Sequence, residues 1–305
     1  MMGEFKIQHS RFKTISRLKG VIQDSVLLFI ICLFISCKSN TDSKKSENPK
    51  PEFEWVKIPA GEYVLGGENS SVNPIHKIKS DEFYITPNEI TNEQFSKFVN
   101  ETKYFTTAEK YKNAKTFHVG LGEFEWVQDS TANWRFPFGE KNGGIEGKEN
   151  YPVTCISFID ILEYCQWAEV RLPTLDEWEI ASRCGSRDKY FFGKDSTLLH
   201  EYANIWLSRT HDTLNVEDEF LYHSPIKTFQ PNKWGLYDMY GNNFEFCSDQ
   251  FSQLKNNPRQ VCARGGSWWC SKNSCNFFNS IDIGSVNKMA SFSNHGFRVV
   301  KANKN

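Results

Sequence analysis

Residues 264–275 read Arg264-Gly265-Gly266-Ser267-Trp268-Trp269-Cys270-Ser271-Lys272-Asn273-Ser274-Cys275. Two adjacent glycines open the stretch, and neither a helical nor a strand period runs through it. Cysteines at i and i+5 would point about 140° apart on an α-helix, so their sulfurs can converge only on a turn or loop. The glycines upstream suit such a turn. Two chemistries fit the spacing: a short-loop disulfide, common in exported proteins, or a pair of soft thiolates able to hold a low-coordinate metal ion. A tetrahedral zinc centre wants four ligands, and no neighbouring cysteine pair or close-set histidine supplies the other two.

Whether a disulfide can persist depends on the compartment, and the N-terminus speaks to that. Lys6, Arg11, Lys13, Arg17 and Lys19 precede a short apolar run, Val26 to Ile35, which is short for a bilayer span and reads as an export signal. The run ends in Phe34-Ile35-Ser36-Cys37, a lipobox-like site with small Ser36 before Cys37. Residues 1–36 are therefore expected to be a signal peptide, and Cys37 the lipidated N-terminus of a membrane-anchored bacterial lipoprotein facing the periplasm or the cell surface. Residues 37–52 lack large apolar side chains and are rich in Ser, Lys, Asn and Pro, the composition of a flexible tether. After Cys37 come seven cysteines, Cys155, Cys165, Cys184, Cys247, Cys262, Cys270 and Cys275. An odd number leaves at least one thiol free or paired between chains.

The remainder, 53–302, is expected to be one α+β domain. The 305 residues are 39% hydrophobic and 15% aromatic, enough for a large core, and a net charge of −1 with dispersed basic residues excludes a nucleic-acid footprint. Alternation over residues 54–67 around Pro59-Ala60-Gly61 reads as a hairpin. Thr91 with Gln94, Ser157, and Thr174 with Glu177 each mark a helix start, giving helices over about 92–102, after Ser157, and from Thr174 to near Gly185. Cys165 falls on an apolar helix face and reads as a buried thiol. Residues 105–150 and 205–260 show no sustained period and read as long loops that need something extra, such as a bound metal, to hold them.

Taken in order, the motifs are specific. They run Trp55-Val56-Lys57-Ile58-Pro59-Ala60-Gly61-Glu62, Glu89-Ile90-Thr91-Asn92-Glu93-Gln94-Phe95, Arg171-Leu172-Pro173-Thr174, Trp234-Gly235-Leu236-Tyr237-Asp238-Met239-Tyr240-Gly241-Asn242, Arg264-Gly265-Gly266-Ser267-Trp268 and Gly296-Phe297-Arg298. The chain thereby resembles the formylglycine-generating enzyme (sulfatase-modifying factor) family over about 53–302. The resemblance implies a single compact domain poor in regular structure and distantly like C-type lectins. It also implies an oxidase that converts the cysteine of a sulfatase Cys-x-Pro-x-Arg segment to formylglycine with molecular oxygen, through copper(I) held by Cys270 and Cys275. Ser267 and Asn294 match polar residues of the oxygen and substrate pocket, and Phe244 stands where the family usually has Trp. Two calcium sites are implied, one at Asp238, Gly241, Asn243 and Glu245, the other at Asn204, Ile205, Asp218 and Phe220; hard cations need such oxygen-rich sets. The position that pairs with Cys165 in some relatives is Val299.

The cysteine pair favours the enzyme, with a sulfatase as partner. The alternative is a non-catalytic binding or structural lipoprotein acting on an envelope partner, favoured by Ser274, Asn276, Phe277, Phe278 and Asn279, which replace the aromatic and basic residues that the resemblance implies around the second cysteine, and by Ser271, which replaces a ring residue after the first. A sulfoxide synthase is disfavoured, since it needs a helical iron domain with clustered histidines and the seven histidines are scattered.

Overall fold

The computed structural model describes residues 50–208, 210, 211, 213, 219–250, 258–275 and 277–302, apart from the side chain of Gln250. Cys37 and the signal segment lie outside the described residues, as do Asp218 and Asn276.

Helix starts are set locally, by side chains that satisfy the first unpaired backbone N–H groups. Thr91 opens α1 (Asn92–Thr102), Ser157 opens α3 (Phe158–Ala168) and Thr174 opens α4 (Leu175–Arg183), each with a reciprocal capping box. These are the three helices expected, and such a cap contributes about 0.5–2 kcal/mol. A fourth box, Thr106 with Glu109, opens the short α2 (Thr107–Tyr111) inside a stretch read as loop. Asp160 of α3 joins the two, accepting from the Thr107 N–H at 2.8 Å and from its hydroxyl at 2.9 Å. A last helical turn, α5 (Leu199–Tyr202), precedes the 205–260 region.

The expected hairpin over 54–67 does not form. β1 (Val56–Ile58) pairs instead with β4 (Phe83–Ile85), while β2 (Gly61–Leu65) pairs with β3 (His76–Ser80). A two-residue hairpin turn wants positive φ at its centre. Pro59 is locked at negative φ and Ala60 is not among the positive-φ residues, so the turn redirects the chain between two sheets. A further two-stranded ribbon is made by β5 (Lys115–Thr116) and β6 (Val127–Gln128).

β1 and β4 continue into β12 (Val300–Lys301) and β7 (Val170–Arg171), giving one four-stranded sheet in the order β1-β4-β12-β7. A second runs β10 (Gly284–Asn287), β9 (Gln260–Arg264), β8 (Phe244–Gln250), β11 (His295–Gly296). β8 crosses a region read as loop. Its residues from Phe244 to Cys247 are all buried, so no alternation betrays the strand. Between the sheets and helices lies one large core containing Ile58, Phe95, Tyr164, Trp178, Phe246 and Phe297. Cys165 is buried and unpaired, as expected, and burial pushes its thiol up to about 12.

Candidate functional site

β9 ends at Arg264, and Gly265 and Gly266 turn the chain out of the sheet at φ 86° and 71°. At Gly266 a Cβ would stand 2.9 Å from the Phe278 backbone nitrogen, so both the conformation and the packing demand glycine. Beyond, Ser271 Oγ accepts from the backbone N–H of Ser274 at 3.0 Å, closing a tight turn, and Cys275 takes a left-handed φ of 56°. That turn brings the two cysteines together: Cys270 and Cys275 are joined as a disulfide, Cα atoms 4.9 Å apart. The loop is anchored from outside. Trp206 N–H donates to the Cys270 carbonyl at 2.9 Å, and buried His211 stacks on Trp269 at 4.2 Å while contacting the Trp269 carbonyl at 2.6 Å.

Cys270 is fully buried, whereas Cys275 lines a pocket of about 240 Å³. Phe124, Trp126, Trp269, Phe277, Phe292 and Val286 form its apolar walls, and Phe244, Asn294 and His295 line it as well. Parallel pairing of β11 with β8 sets His295 opposite Phe244, with the rings stacked 5.1 Å apart. Asn294 Nδ2 donates to Ser267 Oγ at 2.8 Å, its Oδ1 lies 2.8 Å from His295 Nδ1, and its carbonyl accepts from Phe244 N–H at 2.9 Å. Thus Cys270, Cys275, Ser267, Asn294 and Phe244, all singled out from the sequence, converge. The sequence reading gave no role to His295 or to the walls Trp126 and Phe292. Proximity in sequence to Asn294 was the available hint for the histidine.

Several residues of the two sets expected to hold calcium have partners within the protein, and Asp218 of the second set lies outside the described residues. Glu245 spends both carboxylate oxygens on Arg298, at 2.6 Å from Nε and 2.6 Å from Nη2, and also accepts from Trp178 Nε1 at 2.7 Å. Asn243 Oδ1 lies 2.9 Å from His223 Nε2, and the Asn204 carbonyl accepts from Asn242 N–H at 2.8 Å. A Cβ on Gly241 would meet that same Asn204 carbonyl at 2.1 Å, which explains the glycine by close packing. Ile205 is buried, and Phe220 borders a separate cavity of about 350 Å³. Among the described residues no group of three or more His, Cys, Asp or Glu is arranged to hold a metal ion. Asp238 Oδ1 and Glu89 Oε2 are buried with no N–H or hydroxyl donor from another residue, and a protonated Glu89 carboxyl is placed to hydrogen-bond Asp238. Burial first, and Asp238 and Glu245 next, hold the Glu89 carboxyl well above its usual range, and burial raises Asp238 to about 6.

Residues 40–303 match the sulfatase-modifying factor enzyme 1-like domain. The chain belongs to this family. It is 32% identical to the formylglycine-generating enzyme of Streptomyces coelicolor over 282 residues, covering 82% of this chain and 90% of that one. To the formylglycine-generating enzyme of Bos taurus it is also 32% identical, over 82% of this chain and 75% of the other. An inactive C-alpha-formylglycine-generating enzyme 2 of Bos taurus is 30% identical over 70% of this chain and 75% of its own length. In fold, this family member is similar to PvdO from Pseudomonas aeruginosa, with a TM-score of 0.62 at 19% identity over 82% of this chain and 95% of that structure.

Burial pushes the imidazoles of His223 and His295 down to about 3. Below the ordinary value near 6.5 the unfolded chain takes up a proton that the folded one refuses, so stability is lost as pH falls from about 6.5 towards 3. The raised Glu89 and Asp238 act in the opposite sense, which makes a difference measurement necessary. The stability advantage of wild type over His295→Phe is expected to shrink by about 1.4 kcal/mol per pH unit between pH 6.5 and 4, read by chemical denaturation. A pH-independent difference would contradict a half-buried His295 held neutral.

Proposed function

We propose that this family member is an exported, lipid-anchored oxidase that converts the cysteine of a sulfatase Cys-x-Pro-x-Arg segment to formylglycine with molecular oxygen. The observation that carries the reading is the closed Cys270–Cys275 pair with one member at an apolar pocket, which Asn294 and His295 also line, Asn294 being held from behind by buried Ser267. An external dithiol reductant would break the S–S bond by thiol–disulfide exchange, supplying two electrons and becoming a disulfide itself, and the two freed thiols, deprotonated, are the soft donor set that suits copper(I). Copper, when bound there, supplies the activation of oxygen. The chain's own residues do the rest: aromatic walls exclude water from the reacting thiol, and Ser267 and Asn294 hold fixed dipoles beside it. The anchor rests on the sequence Phe34-Ile35-Ser36-Cys37.

A second reading, a non-catalytic envelope-binding lipoprotein, is favoured by the likeness to an inactive relative and by Phe244 and Phe277 at the pocket. One experiment separates the two. Reduced, copper-loaded protein incubated with a Cys-x-Pro-x-Arg peptide is expected to yield a peptide aldehyde, trapped with a hydrazide and seen by mass spectrometry. Either Cys270→Ser or Cys275→Ser is expected to bring the yield to background. No aldehyde from wild type leaves the binding reading standing.

We also propose a calcium ion at Asp238, on narrower support than the family's full ligand set would give. A cation would satisfy the Asp238 and Glu89 oxygens that no N–H or hydroxyl donor reaches, without the Glu245 carboxylate that Arg298 occupies. Binding to the folded state alone stabilises by about 2.7 kcal/mol at a hundredfold excess over Kd. Calcium is therefore expected to raise Tm by several degrees in wild type and not in Asp238→Asn. Equal shifts in both would place the ion elsewhere.

A further inference from the structure

His295 occupies a position in the pocket that the reaction as described does not use. Asn294 Nδ2 is committed as donor to Ser267 Oγ, so its Oδ1 faces His295 Nδ1 as an acceptor. The hydrogen of the neutral imidazole therefore sits on Nδ1, and Nε2 keeps its lone pair. Nε2 has no hydrogen-bond partner among the described residues and is not among their sealed, unpartnered polar atoms. Elsewhere in the pocket, Ser285 Oγ donates to Gln260 Oε1 at 3.0 Å, and the unpartnered indole N–H of Trp269 is closed off from solvent. Stacking on Phe244 at 5.1 Å, with Phe292 5.0 Å away, fixes the ring in place. Burial keeps it uncharged down to about pH 3. An acceptor held this rigidly in an aromatic pocket favours one kind of guest, a largely apolar group carrying a single hydrogen-bond donor.

We propose that His295 is a specificity-determining residue whose Nε2 accepts a hydrogen bond from a hydroxyl-bearing side chain beside the reacting cysteine of the bound peptide. This rests on the reading that the pocket receives the substrate peptide. Thr and Val have nearly the same shape, so the pair isolates the hydrogen bond. A site that offers a buried acceptor rejects the isostere that leaves the acceptor unpaired.

The test uses two Cys-x-Pro-x-Arg peptides that differ only in Thr or Val at the first variable position. Binding to the full chain is followed by the emission of the pocket tryptophans, Trp126 and Trp269, with the disulfide intact and no copper added, so that the readout is independent of turnover. Wild type is expected to bind the Thr peptide about tenfold more tightly. His295→Phe keeps a stacking ring and lacks the lone pair, and its preference is expected to fall below about twofold. His295→Gln, with an acceptor oxygen, is expected to recover part of it. Equal binding of both peptides by wild type, failure of either to bind, or an undiminished preference in a folded His295→Phe would each overturn the proposal. A Thr preference without aldehyde formation leaves the proposal intact and removes the catalytic reading. Aldehyde formed equally well from both peptides, with no binding preference, does the reverse.

Discussion

A fully buried ion pair, Arg298 with Glu245, ties together the segments from which the pocket is made. Glu245 lies between Phe244 and Phe246 on β8, and Arg298 follows His295 by three residues. The guanidinium grips both carboxylate oxygens and also donates to the carbonyls of Tyr237 at 2.8 Å and Pro87 at 3.2 Å, while Trp178 of α4 donates to the same carboxylate. Burying two charges is costly, and the gain is returned only when every donor and acceptor is used. Here the pair engages β8, the C-terminal segment, α4 and the loop before α1 at once. Removing Arg298 would leave Glu245 uncompensated beside Glu89 and Asp238, a loss of about 3–5 kcal/mol or more.

A second buried network does for the cysteine loop what the first does for β11. Arg264, the residue before Gly265, donates to Glu179 Oε2 at 2.8 Å and to the Ser280 carbonyl at 2.6 Å. Arg183 Nε and Asn73 Nδ2 donate to the same glutamate at 2.7 Å each. The start of the loop and the chain after it are thereby tied to α4. With few long regular elements, the fold relies on such buried polar ties to hold its irregular segments, and the functional residues sit on loops whose ends are fixed in this way.

This dependence also explains what could be read in advance. The caps at Thr91, Ser157 and Thr174 were legible because each is settled by a side chain three residues away. Partners at long range were not. β1 pairs with β4 rather than with β2, and Glu245 is taken by Arg298, 53 positions downstream. Convergence of Cys270 and Cys275 followed from spacing and glycines, and their joined state was one of the two chemistries that the spacing left open. Ser267, Asn294 and Phe244 were recognised through the family resemblance, which the match over residues 40–303 supports. His295 was passed over because a lone histidine carries no pattern of its own; its meaning comes from Asn294 on one nitrogen and the pocket around the ring.

Under the proposed function, Cys270 and Cys275 are a redox pair that becomes a two-thiolate metal site at the pocket, and not merely a structural clasp. The most direct measurement is a copper(I) titration of the gently reduced protein against a chromogenic chelator of known affinity. One copper(I) per chain is expected, lost in Cys270→Ser and in Cys275→Ser while both variants keep the wild-type circular dichroism spectrum. Among the described residues the five other cysteines are buried in the fold and shielded from the metal, so they serve as an internal control. Reduced wild type that binds no copper(I), or binding that survives both substitutions, would contradict it.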